Sequence, residues 1–228
     1  LRMSRGLGDV YKRQVYDSTV RNYLLGDESL VERVTALECR RRSAFGNGTE
    51  VAAMNECAGR TVRIYDALTA QIAYLLAVYR HRPQTIAALE RMIGAYVLER
   101  TSELGSVGRG ACVKGARFVR EVRIGDGATI DGATLLENGT LCAGAFVGAD
   151  VKARDFILAE GARVDNGSIL ERCFVGESSV LDKGFTATHS LFFANCHCEC
   201  GEAASVFAGP YTCLLYTSPS PRDMRRYR

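Results

Sequence analysis

From Val107 onward the apolar positions of this chain recur every 17 residues. One register runs Val107, Ile124, Leu141, Leu158 and Val175; a second runs Val113, Ile130, Val147, Val164 and Leu181; a third runs Val119, Leu136, Ala153, Leu170 and Ala187. Phe192, Cys198 and Ala204 continue the three registers into a blurred sixth coil. Each period divides into steps of six, six and five residues, which predicts three short strands per coil. Coils of this kind stack their like residues about 4.8 Å apart, so each register forms an internal ladder. A sandwich or a doubly wound domain does not keep so short and strict a period. The fold class this implies is mainly β, a parallel β-helix.

The residues between the markers explain how the chain turns so often. Units such as Ile124-Gly-Asp-Gly-Ala-Thr and Val164-Asp-Asn-Gly-Ser-Ile place Gly, Asn and Asp where positive φ or a tight corner is needed. Ala128, Ala145, Ala162 and Ser179, four places after the first register, are small enough for the inside of a narrow corner. An earlier segment echoes the six-residue step in Leu25, Val31 and Leu37, and Phe45-Gly-Asn-Gly-Thr-Glu leads into Val51. Residues 15–60 therefore read as N-terminal coils with a bulged basic loop over 38–43, and residues 104–212 as the main run of coils. Between them, residues 61–103 change to a helical period. Leu68, Ile72, Leu75, Leu76 and Val78 mark one helix; Ile86, Leu89, Ile93, Tyr96 and Val97 form a stripe on a second, with Pro83 at its first position. The expected product is a helical hairpin packed on the coils.

The two ends do not share these patterns. Residues 4–14 and 213–223 can be encoded by DNA strings that are reverse complements of each other, offset by one base. Independent protein termini have no reason to show this, whereas a sequencing adapter read through at both ends does. Residues 1–14 and 213–228 are accordingly set aside as adapter-derived. This reverses the sign of the charge. The whole chain is formally +3, but the two ends hold eight basic and two acidic residues, leaving 21 basic against 24 acidic and a net charge of −3. A nucleic-acid partner loses its electrostatic basis. No apolar run approaches the length of a membrane span. Eight cysteines remain outside the ends, scattered in spacing and several at positions suited to a small apolar residue, which points to free thiols and a cytoplasmic setting.

The repeat over residues 107–208 resembles the hexapeptide-repeat superfamily of trimeric acyltransferase-like proteins, which includes UDP-N-acetylglucosamine acyltransferase. More closely, AFGNGTEVAAMNECAGR (44–60), LLENGTLCAGAFVGADVKARDFILAEGARVDNGS (135–168) and SLFFANCHCECGEAASVFAGPYT (190–212) resemble a family of long β-helix proteins known as a domain of unknown function. The superfamily resemblance implies a left-handed helix, a homotrimer with sites between subunits, and acyl transfer from a thioester such as acetyl-CoA to a sugar or nucleotide-sugar.

Such transferases use a histidine as general base. The chain has three: His81, His189 and His197. His197 is the preferred catalytic candidate because it sits in the polar stretch Asn195-Cys-His-Cys-Glu-Cys-Gly-Glu202, where Glu202 is placed to orient it. A surface histidine on a coil explains the same letters. His189 lies near a corner and His81 between the helices. Asn195, with Asn55, Glu56 and Arg60, forms the candidate substrate-binding set; Arg60 has the geometry for a bidentate contact, while a cap and a local ion pair account equally for the group. No metal is expected: strand alternation sets Cys196, Cys198 and Cys200 opposite His197, and no CxxC pair exists. Two readings follow, a transferase acting through His197 and a non-catalytic β-helical scaffold or binding module.

Overall fold

The computed structural model describes residues 13–54 and 60–215. Two long parallel sheets dominate it, one of nine strands and one of twelve, and two helices lie in an insertion between early strands. The apolar registers are the ladders of these sheets. Val107 pairs with Ile124, then Leu141, Leu158, Val175 and Phe192. Val113 opens a second ladder through Ile130, Val147, Val164 and Leu181 to Cys198. Val119 opens a third through Leu136, Ala153 and Leu170 to Ala187. Each pass contributes one short strand to the nine-stranded sheet; in the middle passes the other two expected strands are joined into one of seven residues in the twelve-stranded sheet, as in Phe118–Ile124. These parallel ladders are consistent with the β-helix that the repeat predicts. Ala128, Ala145, Ala162 and Ser179 are fully buried at the corners, as their size requires.

Two boundaries differ from the sequence expectation. In the last pass the partner of Ala187 is Ala203, not Ala204, because the interval shortens to 16 residues. The preceding pass turns its corner with two positive-φ residues, Lys183 and Gly184, whereas the last uses Cys200 alone. The early passes also end sooner. Val15, Val20 and Leu25 pair with Val31, Leu37 and Val107, and Val31 and Leu37 pair in turn with Val113 and Val119. The segment expected to continue the coils to residue 60 instead belongs to the insertion, where Glu50–Ala52 forms an antiparallel pair with Thr61–Arg63. An antiparallel bridge from Ser43 to Ser102 closes the neck of the insertion. Gln14 and Cys213–Leu215 extend the outer strands at either end of the nine-stranded sheet.

The insertion holds α1 (Ala70–Val78), capped by Thr69, and α2 (Pro83–Arg100), which begins with its proline. Helix α1 starts later than its apolar run because Asp66 is used elsewhere: its carboxylate accepts from the Tyr96 hydroxyl and its backbone N–H donates to Asn47 Oδ1 at 2.8 Å. Leu68, Leu76 and Ile93 pack with Ile157, Phe174 and Leu191, which point outward from the twelve-stranded sheet. Fully burying side chains of this size is worth roughly 1.5–3 kcal/mol each.

Residues 39–54 cross the passes as a strap, tied to one column of corner residues. Asn22, Glu121, Asn138, Asp155, Arg172, His189 and Ser205 all have φ between 47 and 56°. Asn22 Nδ2 donates to Cys39 O at 2.8 Å, and Glu121 Oε1 accepts from Arg40 N at 2.9 Å. Asn138 Oδ1 accepts from Gly46 N and Ser43 Oγ, each at 3.0 Å. Further along, His189 Nδ1 accepts from Ala52 N at 3.2 Å and Ser205 O from Met54 N at 2.6 Å. Gly46 passes so close to the sheet, with φ of 80°, that a Cβ there would lie 2.6 Å from Phe156 O.

Inside the stack a second column alternates large and small residues. The Tyr23 ring lies over Gly105 and its hydroxyl donates to Val122 O at 2.7 Å. The Phe156 ring lies over Gly139, where a Cβ would come within 2.3 Å of it. On the outward face of the twelve-stranded sheet a third column alternates in charge, exposed or half-buried except at Glu38, which is buried. Arg21, Glu38, Arg120, Glu137, Arg154 and Glu171 follow one another in register. Arg120 sits 3.3 Å from Glu38 and Arg154 3.4 Å from Glu137.

Two measurements check this account. Gly139→Ala is expected to destabilise the fold by about 1–3 kcal/mol through overpacking against Phe156. Part of that loss should return in the double variant with Phe156→Leu, read by chemical denaturation. At the strap, Asn138→Gly keeps the positive φ and loses only the side-chain bonds. Asn138→Ala should therefore be less stable than Asn138→Gly by about 1–2 kcal/mol; equal stabilities would show that the corner is not strained.

Candidate functional site

The described chain offers two places to look: a histidine–carboxylate pair on the nine-stranded sheet and a cleft where the insertion meets the stack. His197 lies in the strand His197–Glu199, between Val180 and Cys213 in register. Alternation turns Cys198 inward, fully buried, and leaves His197 and Glu199 on the outer face. His197 Nε2 is 2.8 Å from Glu199 Oε1, and Lys183 Nζ donates to the other oxygen of the same carboxylate. Lys183 and, after it, His197 hold the Glu199 carboxyl below its ordinary range. The pair is solvent-exposed, with 46% of the His197 side chain accessible.

The carboxylate beside His197 is thus Glu199, not Glu202. Glu202 belongs to the strand Glu202–Ala204 of the other sheet, opposite Thr186, and is exposed. The spacing of five residues carries the chain around a corner, while two residues along a strand return to the same face. Asn195 turns a corner with φ of 59°, and its N–H donates to Glu177 O at 2.8 Å. Arg60 is exposed at the start of the strand Thr61–Arg63. Asn55 and Glu56 lie outside the described residues. Cys196 and Cys198 are buried, and Cys200 is turned outward by its corner conformation rather than sharing their face. Among the described residues no cluster of three histidine, cysteine or acidic side chains is placed to hold a metal. Burial pushes the Cys142 thiol up to about 11 and the Cys198 thiol up to about 12, so both are poor nucleophiles at neutral pH.

The other place is concave. A cleft of about 450 Å³ opens between the start of α1 and the edge of the twelve-stranded sheet. Asp66, Thr69 and Gln71 line it from the insertion; Phe174, Glu177 and Phe193 line it from the stack. Phe193 packs between Phe174 and Phe207, with ring centres 5.6 and 5.1 Å away, which fixes the apolar floor. Asp66 is held in place by Tyr96, whose phenol is raised first by burial and then by this carboxylate, and by Arg100 Nε at 3.8 Å. Asn195 follows Ala194, which lines the cleft, but is not itself part of the lining. Sequence reasoning missed Asp66 and Glu177 because neither sits in a motif: Asp66 interrupts an apolar run and Glu177 stands in a corner of the repeat. Only the docking of the insertion brings them to one cavity.

A family profile described as Domain of unknown function (DUF4954) matches residues 6–219. The chain belongs to that family. It is also 23% identical over 133 residues to an uncharacterized protein of Treponema pallidum (strain Nichols), an alignment covering 54% of this chain and 18% of that protein. The chain thus spans about a fifth of the relative's length. No solved structure matches.

The role of Lys183 can be measured directly. Lys183→Met should raise the Glu199 pKa toward the ordinary carboxylate range, followed by carboxyl NMR titration. Because the folded value is depressed, the pairing stabilises above the unfolded carboxylate pKa and is lost as pH falls through the folded one. An unchanged pKa in the variant would remove Lys183 from the account.

Proposed function

We propose that this DUF4954 segment is a binding module in which a β-helical stack and its inserted helices form a site for a sugar or nucleotide-sugar. The observation that carries this is the cleft: it lies where the insertion docks, with Glu177 on its wall, an apolar floor, and Asp66 in its lining held by Tyr96 and Arg100. Carboxylates accept hydrogen bonds from sugar hydroxyls, and an apolar floor excludes water from beneath a ring. We take the stack to be a left-handed hexapeptide-repeat β-helix, the handedness being what the superfamily resemblance implies; the 17-residue ladders and the corners of small residues support the repeat. A cytoplasmic setting fits the seven unpaired cysteines among the described residues outside the adapter-derived ends.

A second reading rests on the His197–Glu199 pair at 2.8 Å. In it, His197 is the general base of an acyl transfer from acetyl-CoA or another thioester, Glu199 orients the ring, and a homotrimer encloses the exposed pair. The first reading is preferred because a concave site with an apolar floor lies at the insertion, with His197 outside its lining.

Calorimetric titration with free sugars, UDP-sugars and acetyl-CoA separates the two. Under the binding reading, a sugar or UDP-sugar binds saturably, Glu177→Gln weakens it roughly 10- to 100-fold by removing a charged acceptor, and His197→Ala leaves it unchanged. Acetyl-CoA turnover that His197→Ala abolishes in a folded protein would instead establish the transferase. Absence of binding to any of these ligands would dismiss the cleft as a sugar site.

A further inference from the structure

The alternating charge column bears on how one chain meets another. Along the stack its order is Arg21, Glu38, Arg120, Glu137, Arg154, Glu171, one residue per pass. The column stands on the outward face of the twelve-stranded sheet, beside the residues Ile157, Phe174 and Leu191 on which the insertion packs; of its six members only Glu38 is buried, beneath Arg40 of the strap. Read from either end the six charges form the same pattern with opposite sign. A two-fold axis perpendicular to the stack, passing between the passes of Arg120 and Glu137, therefore sets Arg120 opposite Glu137 and Arg21 opposite Glu171, each contact occurring twice; Glu38 is buried beneath Arg40 of its own chain and takes no part. A second chain facing this column in the parallel sense at the same height would place like charges together at every level. Such isologous self-complementarity is the requirement for a two-fold dimer.

The adjoining column supports the same axis. Phe118 and Leu135 are the neighbours of Arg120 and Glu137 on this face, half-buried and paired in register. The Arg120 guanidinium lies 4.7 Å from the Phe118 ring centre. The two-fold axis brings Phe118 against Leu135 of the second copy, which gives the contact an apolar centre flanked by charges, the usual anatomy of an interface.

We propose that this face is a docking surface for a second copy of the chain, antiparallel to the first. Six levels at about 4.8 Å make a strip roughly 25–30 Å long. A strip of that height is smaller than a standard interface of about 800 Å² per partner. The association is therefore weak, carried by charge, and dissolved by salt.

The test uses the 228-residue chain in sedimentation velocity at low and high salt. Wild type is expected to dimerise at low salt and to dissociate as salt rises. Arg120→Glu and Glu137→Arg should each weaken dimerisation roughly tenfold or more, since each makes two like-charge contacts across the axis. Both reversals also disturb the column within one chain, so circular dichroism and the thermal midpoint first establish that each variant is folded. The deciding sample is their equimolar mixture. In a mixed antiparallel pair every reversed charge again meets an opposite one, so dimer returns, which no intrachain effect reproduces. A mixture that stays monomeric, a wild type that is monomeric at its solubility limit in low salt, or a trimer whose mass neither reversal changes would overturn the proposal.

Discussion

The structure depends on one condition, that each residue of a pass lie directly over its counterpart in the pass before. Parallel strands exchange evenly spaced hydrogen bonds at a fixed separation, so any mismatch in one column is transmitted to all columns of that pass. Size, charge and backbone conformation are therefore selected column by column. The small corner residues, the alternation of Phe156 with Gly139, and the alternation of Arg120 with Glu137 are three answers to the same demand. A ring fits where glycine lies beneath it, and a charge is tolerated where the next level carries its opposite.

This condition also explains which parts of the molecule were legible in the sequence. Buried ladders repeat one chemical property at one interval, so Val107 through Val175 stood out and paired as read. Corners built on glycine were legible for the same reason. The column of Glu121, Arg172 and His189 was not, because nothing in these residue types signals positive φ; their conformation is imposed by the ladders on either side. The stripe Ile86, Leu89, Ile93, Tyr96 and Val97 packed as its period requires. The run from Phe45 to Val51 was misread as another coil because glycine and asparagine punctuate straps and coils alike. What decided its place was a contact with distant Asn138, invisible to local pattern.

The candidate site was the least legible part. His197 was found from its polar surroundings, but its partner Glu199 follows from strand geometry and not from the nearest free acid in sequence. Asp66 and Glu177 are far apart in the chain, and neither sits in a recognisable motif. Cavities formed by docking one unit on another arise from tertiary arrangement, and a repeat that is legible level by level contains no statement about what rests against it.

The strap has a consequence for how the protein comes apart. In a stacked repeat each level touches only its neighbours, so stability adds level by level and the ends fray independently of the middle. Here one continuous segment is fastened near Asn22 at the beginning of the stack, at Asn138 in the middle, and at Ser205 near its end. Opening the last levels must also release Ala52 and Met54, and with them the sheet pair that anchors the helices. The strap thus joins levels that do not touch one another into a single cooperative unit, with amide protection extending from the centre toward the outermost levels it holds.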